Sequence, residues 1–307
     1  MTTHETRAVR DTSDFFAIDK GDHLVVNNRR YEIVGHAREL RFGIEDPKFW
    51  VKRAIDLDSR ERKLIKLAYF ESFEASLGGV KIRCFRDPDK EGHILKLVKG
   101  RPDFMQGEAF FDDAGNNIRV LDVVYGQSFL DYIGSFQMSY EKYFKEVLPG
   151  VLRHLIKAFE AIHFLHLSGL KHGDIRNDHI IVEKKTGQYV WIDFDYDFAA
   201  TENPFSLDIF GIGNVLTYAV GMGFHNYYMI KTDRKKYGDL VEQLEPDDFA
   251  LLDARRFINL AKLYPIIPEA LNNILMFFST GAVIYYETVD EIVADLKWFL
   301  NNFPYYQ

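Results

Sequence analysis

The apolar pattern of this chain changes period part-way along, and that change constrains the fold more than any single motif. From residue 24 to 124 the apolar residues alternate or cluster as they do in strands. Leu24–Val26 and Tyr31–Val34 flank Asn27-Asn28-Arg29-Arg30 and predict a hairpin. Phe49–Ile55 and Lys63–Tyr69 predict two strands around the charged turn Asp56–Arg62. Pro88–Val98 interrupts them with helical spacing, a polar start leading to Ile94, Leu95, Leu97 and Val98. Phe104–Phe111 and Ile118–Val124 predict two more strands around Asp112–Asn116. Beyond residue 140 the period is helical. Tyr140–Ser168 predicts one long helix with Val151, Leu155, Ala158, Phe159, Ile162 and Leu165 on one stripe. Short strands follow at His179–Glu183 and Tyr189–Asp193, then helices at Asp208–Gly221, Pro246–Leu263, Ile267–Phe278 and Val289–Phe299. The expected class is α+β and bilobal, a β-rich N-lobe followed by a helical C-lobe with a nucleotide-sized cleft between them.

Composition narrows the partners. The 307 residues suit two domain-sized pieces. With 38 basic against 46 acidic residues the net charge is −8, a poor basis for coating nucleic acid, so no nucleic-acid partner is expected. One cysteine, Cys84, supports neither a disulfide framework nor a cysteine-rich zinc site. The first residues, MTTHETRAVRDTSD, lack the apolar core of a secretory signal. The apolar runs Gly211–Phe224 and Ile274–Tyr286 fall short of the roughly 20 residues a membrane span needs. A soluble, cytoplasmic protein with no membrane span is the expectation.

The chemistry concentrates in two acids. His172-Gly173-Asp174 follows a helix that ends near Gly169, so a loop presents Asp174. Nineteen residues later the hydrophobic strand Val190-Trp191-Ile192 delivers Asp193. Two carboxylates held this way suit phosphoryl transfer, one orienting a hydroxyl and the other holding Mg²⁺.

Around these acids the chain resembles the protein-kinase-like superfamily along nearly its whole length. His172-Gly173-Asp174 is similar to the catalytic-loop H-R-D in its H-G-D form, and Asp193-Phe194-Asp195 to D-F-G with Asp in place of Gly. Leu64-Ile65-Lys66 resembles the strand bearing the phosphate-binding lysine. Glu91-Gly92-His93-Ile94-Leu95 resembles the helix whose glutamate pairs with it. Val120–Leu130 is similar to a gatekeeper and hinge. Asp208-Ile209-Phe210-Gly211-Ile212-Gly213 is similar to the helix whose Asp braces the catalytic loop, and Thr288–Leu296 to the last helix of bacterial serine/threonine kinases.

The resemblance implies a leading segment at 1–30 that adds strands, an N-lobe at 31–121, a hinge at 122–126 and a C-lobe at 127–307. It implies an ATP- and Mg²⁺-dependent kinase that passes the γ-phosphate to a hydroxyl, first of all a protein serine or threonine. Asp174 is the implied base, and Lys66 with Glu91 the phosphate clamp. Asp193 is the implied metal ligand and His179 a secondary one. Leu121, Asp122, Val123 and Val124 offer backbone groups to adenine, and Arg38 or Arg41 supplies phosphate donors in place of glycine-loop amides.

Several departures bear on activity. His179 stands where the family has the metal-binding Asn, with Asn177 and Asp178 close by. Gly35–Gly43 lacks G-x-G-x-x-G, and only twelve residues separate Asp195 from Asp208, with no A-P-E. The Arg that pairs with that Glu is also missing, since Tyr285-Tyr286-Glu287-Thr288 stands there. These keep two alternatives open: a pseudokinase scaffold that binds a partner protein, and a small-molecule, sugar or lipopolysaccharide kinase. Plainer readings stand beside each residue: Lys66 as an exposed strand lysine with Lys63 as competitor, Glu91 as a solvated helix acid, His179 as a structural histidine, and Asp208 as a helix N-cap. The run Asp193, Asp195, Asp197 lacks the Gly and distal Glu of a calcium loop. The histidines His163, His166, His172 and His179 lack zinc-site spacing.

Overall fold

Asn27 and Asn28 both adopt left-handed backbone, with φ of 49° and 60°. They close a two-residue turn between Val26 and Arg29, a turn type that needs positive φ at both positions. The hairpin expected around Asn27–Arg30 therefore has half the expected loop. The computed structural model describes residues 7–41, 44–200 and 202–303, with backbone alone at 39–41 and 44–46.

The strands run β1 (Ala8–Val9), β2 (His23–Val26), β3 (Arg29–Arg41), β4 (Ile44–Asp56), β5 (Arg62–Lys66), β6 (Ser72–Leu77) and β7 (Val80–Arg86). They continue with β8 (Gly107–Phe111), β9 (Asn117–Asp122), β10 (Gly126–Ser128), β11 (Ile180–Glu183), β12 (Tyr189–Trp191) and β13 (Tyr196–Ala199). The helices are α1 (Pro88–Leu97), α2 (Phe129–Gly134), α3 (Tyr140–Glu146), α4 (Leu148–Leu167), α5 (Ser206–Val220), α6 (Tyr227–Thr232), α7 (Arg234–Tyr237), α8 (Glu269–Met276) and α9 (Val289–Asn302). The protein is mixed α+β, and the chain divides into two units. One comprises Met1–Glu71 with Phe85–Val124, the other Ser72–Cys84 with Tyr125–Gln307.

In the first unit the sheet order is β1-β2-β3-β4-β5-β9-β8, antiparallel except for β1 beside β2. Period two sorts its side chains. Leu24, Val26, Tyr31, Ile33, Ala54, Ile65, Ile118 and Val120 share one buried core. Val9 and Ile18 of the leading segment enter the same core, and Phe15 packs against it. Lys66 and Arg119, one residue out of phase, pair directly across β5 and β9. The helix α1 is capped by Asp87, which accepts from the Lys90 N–H at 2.9 Å, and Pro88 begins it. Gly92 lets α1 sit close to β8, because an added Cβ would lie 2.9 Å from the Ala109 Cβ.

Lys52 fastens the leading segment. It pairs across from Ile65 and is fully buried. Its Nζ donates to the carbonyls of Phe15 at 2.8 Å and Ile18 at 2.7 Å, and lies 3.2 Å from His36 Nδ1. Burial pulls its pKa down to about 8, against the opposing charges of Asp19, Asp22 and Asp14. In its neutral form the amine keeps two N–H groups, enough to serve both carbonyls.

In the second unit α4 is the central helix, burying Val151, Leu155, Ala158, Phe159, Ile162 and Leu165. The helix expected over Tyr140–Ser168 is two helices. Pro149 lacks the N–H that would continue α3, and the chain restarts at Leu148 after Val147. The helix expected over Pro246–Leu263 is absent. That stretch forms two 3₁₀ turns and an Ala250↔Ser279 bridge around buried Asp248, which accepts from the Glu245 N–H, Asn259 and Lys262. A buried carboxylate that collects these donors outcompetes a helical ladder. The β6–β7 hairpin and β13, neither of which the pattern predicts, form a three-stranded sheet in the order β13-β7-β6. Strands β10, β11 and β12 form another. Among the described residues no helix is long and apolar enough to cross a membrane.

Lys52 makes the leading segment sensitive to pH in a defined direction. Between about pH 8 and the ordinary lysine range, the folded state binds fewer protons than the unfolded chain, so stability rises with pH. The urea stability of the wild type relative to Lys52→Met should grow by up to about 3 kcal/mol from about pH 7.5 to about pH 10. A difference that stays flat across that range would refute the assignment.

Candidate functional site

The first unit holds a buried ionic triad. Glu91 on α1 is fully buried. Its Oε1 accepts from Lys66 Nζ at 2.8 Å and its Oε2 from Arg119 Nε at 3.0 Å. Arg119 also donates to the carbonyls of Asn117 at 3.0 Å and Leu67 at 3.4 Å. The structure thus brings together Lys66 and Glu91, the expected clamp, and adds a second cation. Asn117 Nδ2 donates to Asp89 at 2.7 Å, which ties the start of α1 to β9. The competitor Lys63 is engaged elsewhere, with Glu61 and Asp122 at 2.7 Å each.

The residues expected to meet a nucleotide base lie at the end of β9. Leu121 is buried and paired with Leu64 and Gly107. The Asp122 N–H donates to the Gln106 carbonyl at 2.9 Å. Val123 and Val124 lie past the strand and are half-buried. Arg38 is exposed on β3 opposite Pro47, and the side chain of Arg41 lies outside the described residues.

The second unit positions its acids through a helix end and a buried carboxylate. Helix α4 stops where Gly169 takes φ 74°. The N–H groups of Gly169 and Leu170 return to the carbonyls of His166 and Leu165, at 2.9 and 3.0 Å. This C-terminal motif turns the chain sharply into Lys171-His172-Gly173-Asp174. Asp208, buried at the start of α5, receives the N–H of His172 at 2.7 Å, the N–H of Gly173 at 2.8 Å and His166 Nε2 at 3.0 Å. Burial pushes the Asp208 carboxyl up, but the His166 bond, the histidine charges and the Gly173 N–H outweigh it and hold the carboxyl below the usual range. Gly211, one turn along α5, lets this helix approach the same loop, since an added Cβ would lie 2.8 Å from Ile175.

Asp174, His179 and Asp193 lie together. His179 is 7% exposed in its side chain, against 23% for Asp174 and 21% for Asp193, so the imidazole is the covered member. Its Nδ1 is 2.8 Å from the Asp174 carbonyl oxygen and 3.4 Å from Asp174 Oδ2, and its Nε2 is 3.6 Å from Asp193 Oδ2. Desolvation raises the Asp174 carboxyl above its ordinary range, and Asp193 and Asp178 add to this while His179 and Arg176 oppose it. Arg176 Nη1 stands 3.9 Å from Asp174 Oδ2, while the same guanidinium grips Asp178. Asp193 has φ 65°, the left-handed region that non-glycine residues avoid. Buried Trp191 and Phe194 flank it, and Trp191 donates its Nε1–H to the Ala158 carbonyl of α4 at 2.8 Å. The Asn177 amide oxygen is buried with no hydrogen-bond partner in the structure.

Three residues around these groups have contacts that sequence reasoning did not assign, although His172 belongs to the motif that carries the resemblance. Arg119 sits in the apolar strand Ile118–Leu121, and a lone arginine between two core residues was the available signal. Lys171 donates to Asp197 Oδ1 at 3.0 Å and to the Phe198 carbonyl at 2.6 Å, which pins β13 beside the Asp174 loop. His172 is fully buried and its Nδ1 accepts from the Asp174 N–H at 3.3 Å. Among the described residues no cluster of three His, Cys, Asp or Glu is arranged to hold a metal alone, so Asp193 and His179 form at most a two-ligand site. An open depression of about 980 Å³, lined by Tyr125, Tyr132, His154 and Tyr189 among others, includes none of these residues.

No family model matches the chain, and no curated protein matches it.

The triad makes a stability prediction. Arg119→Met leaves Glu91 with one partner and should cost about 1–3 kcal/mol. Glu91→Ala leaves two buried cations facing each other and should cost about 3–5 kcal/mol. Urea melts with an unchanged m-value check this, and a Glu91→Ala cost no larger than that of Arg119→Met would show that the carboxylate is not the centre of the group.

Proposed function

We propose that this protein is an ATP- and Mg²⁺-dependent phosphotransferase of the protein-kinase-like type that transfers the γ-phosphate to a hydroxyl. The observation that carries the reading is the convergence of Asp174 and Asp193 on one buried imidazole, in a loop braced by Asp208. The independent pairing of Lys66 with Glu91 supports it.

The donor set fits a divalent ion that arrives with a nucleotide. Asp193 offers a carboxylate and His179 a second donor, and two protein ligands are what such ions use when phosphates and water complete the shell. When bound, Mg²⁺ neutralises charge on the phosphate oxygens. The residues of the chain do the rest. Lys66 is a point charge for the phosphates, and Glu91 and Arg119 limit its rotamers. Asp174 accepts the proton of the attacking hydroxyl as that oxygen bonds to the γ-phosphorus and the bond to ADP breaks. Its raised affinity for protons suits a base. Asp208 and His172 keep the Asp174 backbone in place, which limits the reorganisation the step requires.

The acceptor is assigned first to a serine or threonine hydroxyl of a protein. A second reading, a small-molecule hydroxyl, is favoured by β13. This strand follows Asp195 directly, pairs with β7 and is pinned by Lys171, so its backbone on that side is already committed.

Thermal melts with ATP and Mg²⁺ should show stabilisation of the wild type and its loss in Asp193→Ala. No shift in the wild type would sink the reading. Transfer of labelled phosphate to protein and sugar acceptors should then fall by about 10²–10⁴-fold in Asp174→Ala. Transfer at the wild-type rate in that variant would mean that another group is the base.

A further inference from the structure

We propose that the open depression of the second unit is a binding site for a neutral oligosaccharide, an inference that stands apart from the phosphotransferase reading. The depression holds about 980 Å³, at the upper end of the roughly 300–1,000 Å³ of small-ligand sites. It lies between α2, the start of α4 and the turn that joins β11 to β12. His154 lines it from α4, twelve residues before His166, and that length of helix spans roughly 18 Å. The depression is thus well removed from the end of α4 that leads to Asp174.

Three polar groups on its wall suit hydroxyls. Tyr132 and Tyr189 both line it, and neither phenol has a hydrogen-bond partner among the described residues. The Tyr189 ring is fixed by its neighbours, Phe129 at 5.3 Å and His154 at 5.1 Å. Burial pushes both phenols up, so each keeps its proton and can donate as well as accept. His154 Nδ1 is 2.8 Å from the Gly150 carbonyl, and Nε2 has no partner among the described residues. A ligand hydroxyl suits this ring in either charge state, because it donates to a bare Nε2 and accepts from a protonated one.

Apolar surface stands beside these groups. The rings of Tyr132 and Phe136 are 5.1 Å apart and 76° from parallel, so they form a corner instead of stacking on each other. A pyranose carries C–H groups on its faces and hydroxyls around its edge. It can lay a face on one ring while its edge reaches the phenols and the imidazole.

Gly150 is an independent observation. It lines the depression as the third residue of α4, a position where glycine weakens the helix. Beyond its own stretch of helix an added Cβ would meet no atom within 4 Å, so close packing does not account for it. Its effect is to keep this wall open.

The charges select a neutral ligand. Glu146, Glu183 and Lys184 also line the depression. Two carboxylates against one ammonium disfavour a phosphate or a uronate. Glu183 already accepts from the Thr186 hydroxyl, Glu146 stands 3.9 Å from Lys142 Nζ, and Lys184 repels a second cation. The remaining carboxylate oxygens can accept from sugar hydroxyls.

The test titrates the full chain with maltotriose, cellotriose, chitotriose and mannotriose, and with trigalacturonate as the anionic control, by calorimetry and saturation-transfer NMR. At least one neutral trisaccharide should bind, and more tightly than trigalacturonate. Its affinity should fall about fivefold in Tyr189→Phe, which removes one hydroxyl and leaves the ring. Gly150→Leu should abolish binding by filling the depression, and it should raise the melting temperature because leucine favours a helix. Absence of binding by all four neutral sugars, tighter binding of trigalacturonate, or unchanged affinity in either variant would overturn the site. The melts with ATP and Mg²⁺ report on Asp193 separately, so failure of one reading is distinguishable from failure of the other.

Discussion

The first unit is organised around one carboxylate that cannot reach water. Glu91 on α1 would be strongly destabilising in a sheet–helix interface if left alone, since an ion taken out of water loses several kcal/mol of hydration. Lys66 and Arg119 offset that cost, and they do so because the register of β5 and β9 sets them side by side on the face turned from the apolar core. Each oxygen of Glu91 is directed by a different strand, one to Lys66 of β5 and one to Arg119 of β9. Swinging α1 away would break both pairs at once, so the lysine is held in one place by the fold.

The second unit uses a buried carboxylate differently. Asp208 receives backbone N–H groups of the two residues before Asp174, so it shapes a loop, and the side chain it leaves projecting is Asp174. The Gly169 turn, the buried His172 and the Lys171 contacts to β13 act on the same few residues. The four neighbouring positions 171–174 are therefore constrained by three elements, α4, α5 and β13, and by a bond within the loop, a density of constraint that a plain connecting loop does not need.

Much of this was legible in the chain, for reasons that differ residue by residue. Ile65 and Ile118 announce strands because period two survives any local adjustment, and Pro88 and Asp87 mark the start of α1 chemically. Asp174, Asp193 and Asp208 stand out through their order along the chain. What escaped depends on pairing partners far away in sequence. Arg119 gains its meaning only from Glu91, twenty-eight residues earlier. The β6–β7 hairpin is stabilised by β13, more than a hundred residues later, through Ile82 and Cys84 against Phe198. Pro246–Leu263 has helical composition, but buried Asp248 offers its backbone and side-chain donors a better acceptor than a helix would.

Asp193 shows how the packing sustains a conformation the residue itself disfavours. A left-handed backbone at a non-glycine position costs roughly 1–2 kcal/mol. A glycine would relieve that cost and remove the carboxylate. The neighbours supply the compensation. Trp191 and Phe194 are fully buried on either side, each worth about 1.5–3 kcal/mol by burial, and the Trp191 indole is tied to the Ala158 carbonyl. With both flanks anchored, the intervening residues have little freedom, and the turn that satisfies both anchors carries Asp193 into the left-handed region beside His179. Strain held in this way sits at the one position of the segment where a charged side chain meets the His179 imidazole, which is where a functional constraint would place it.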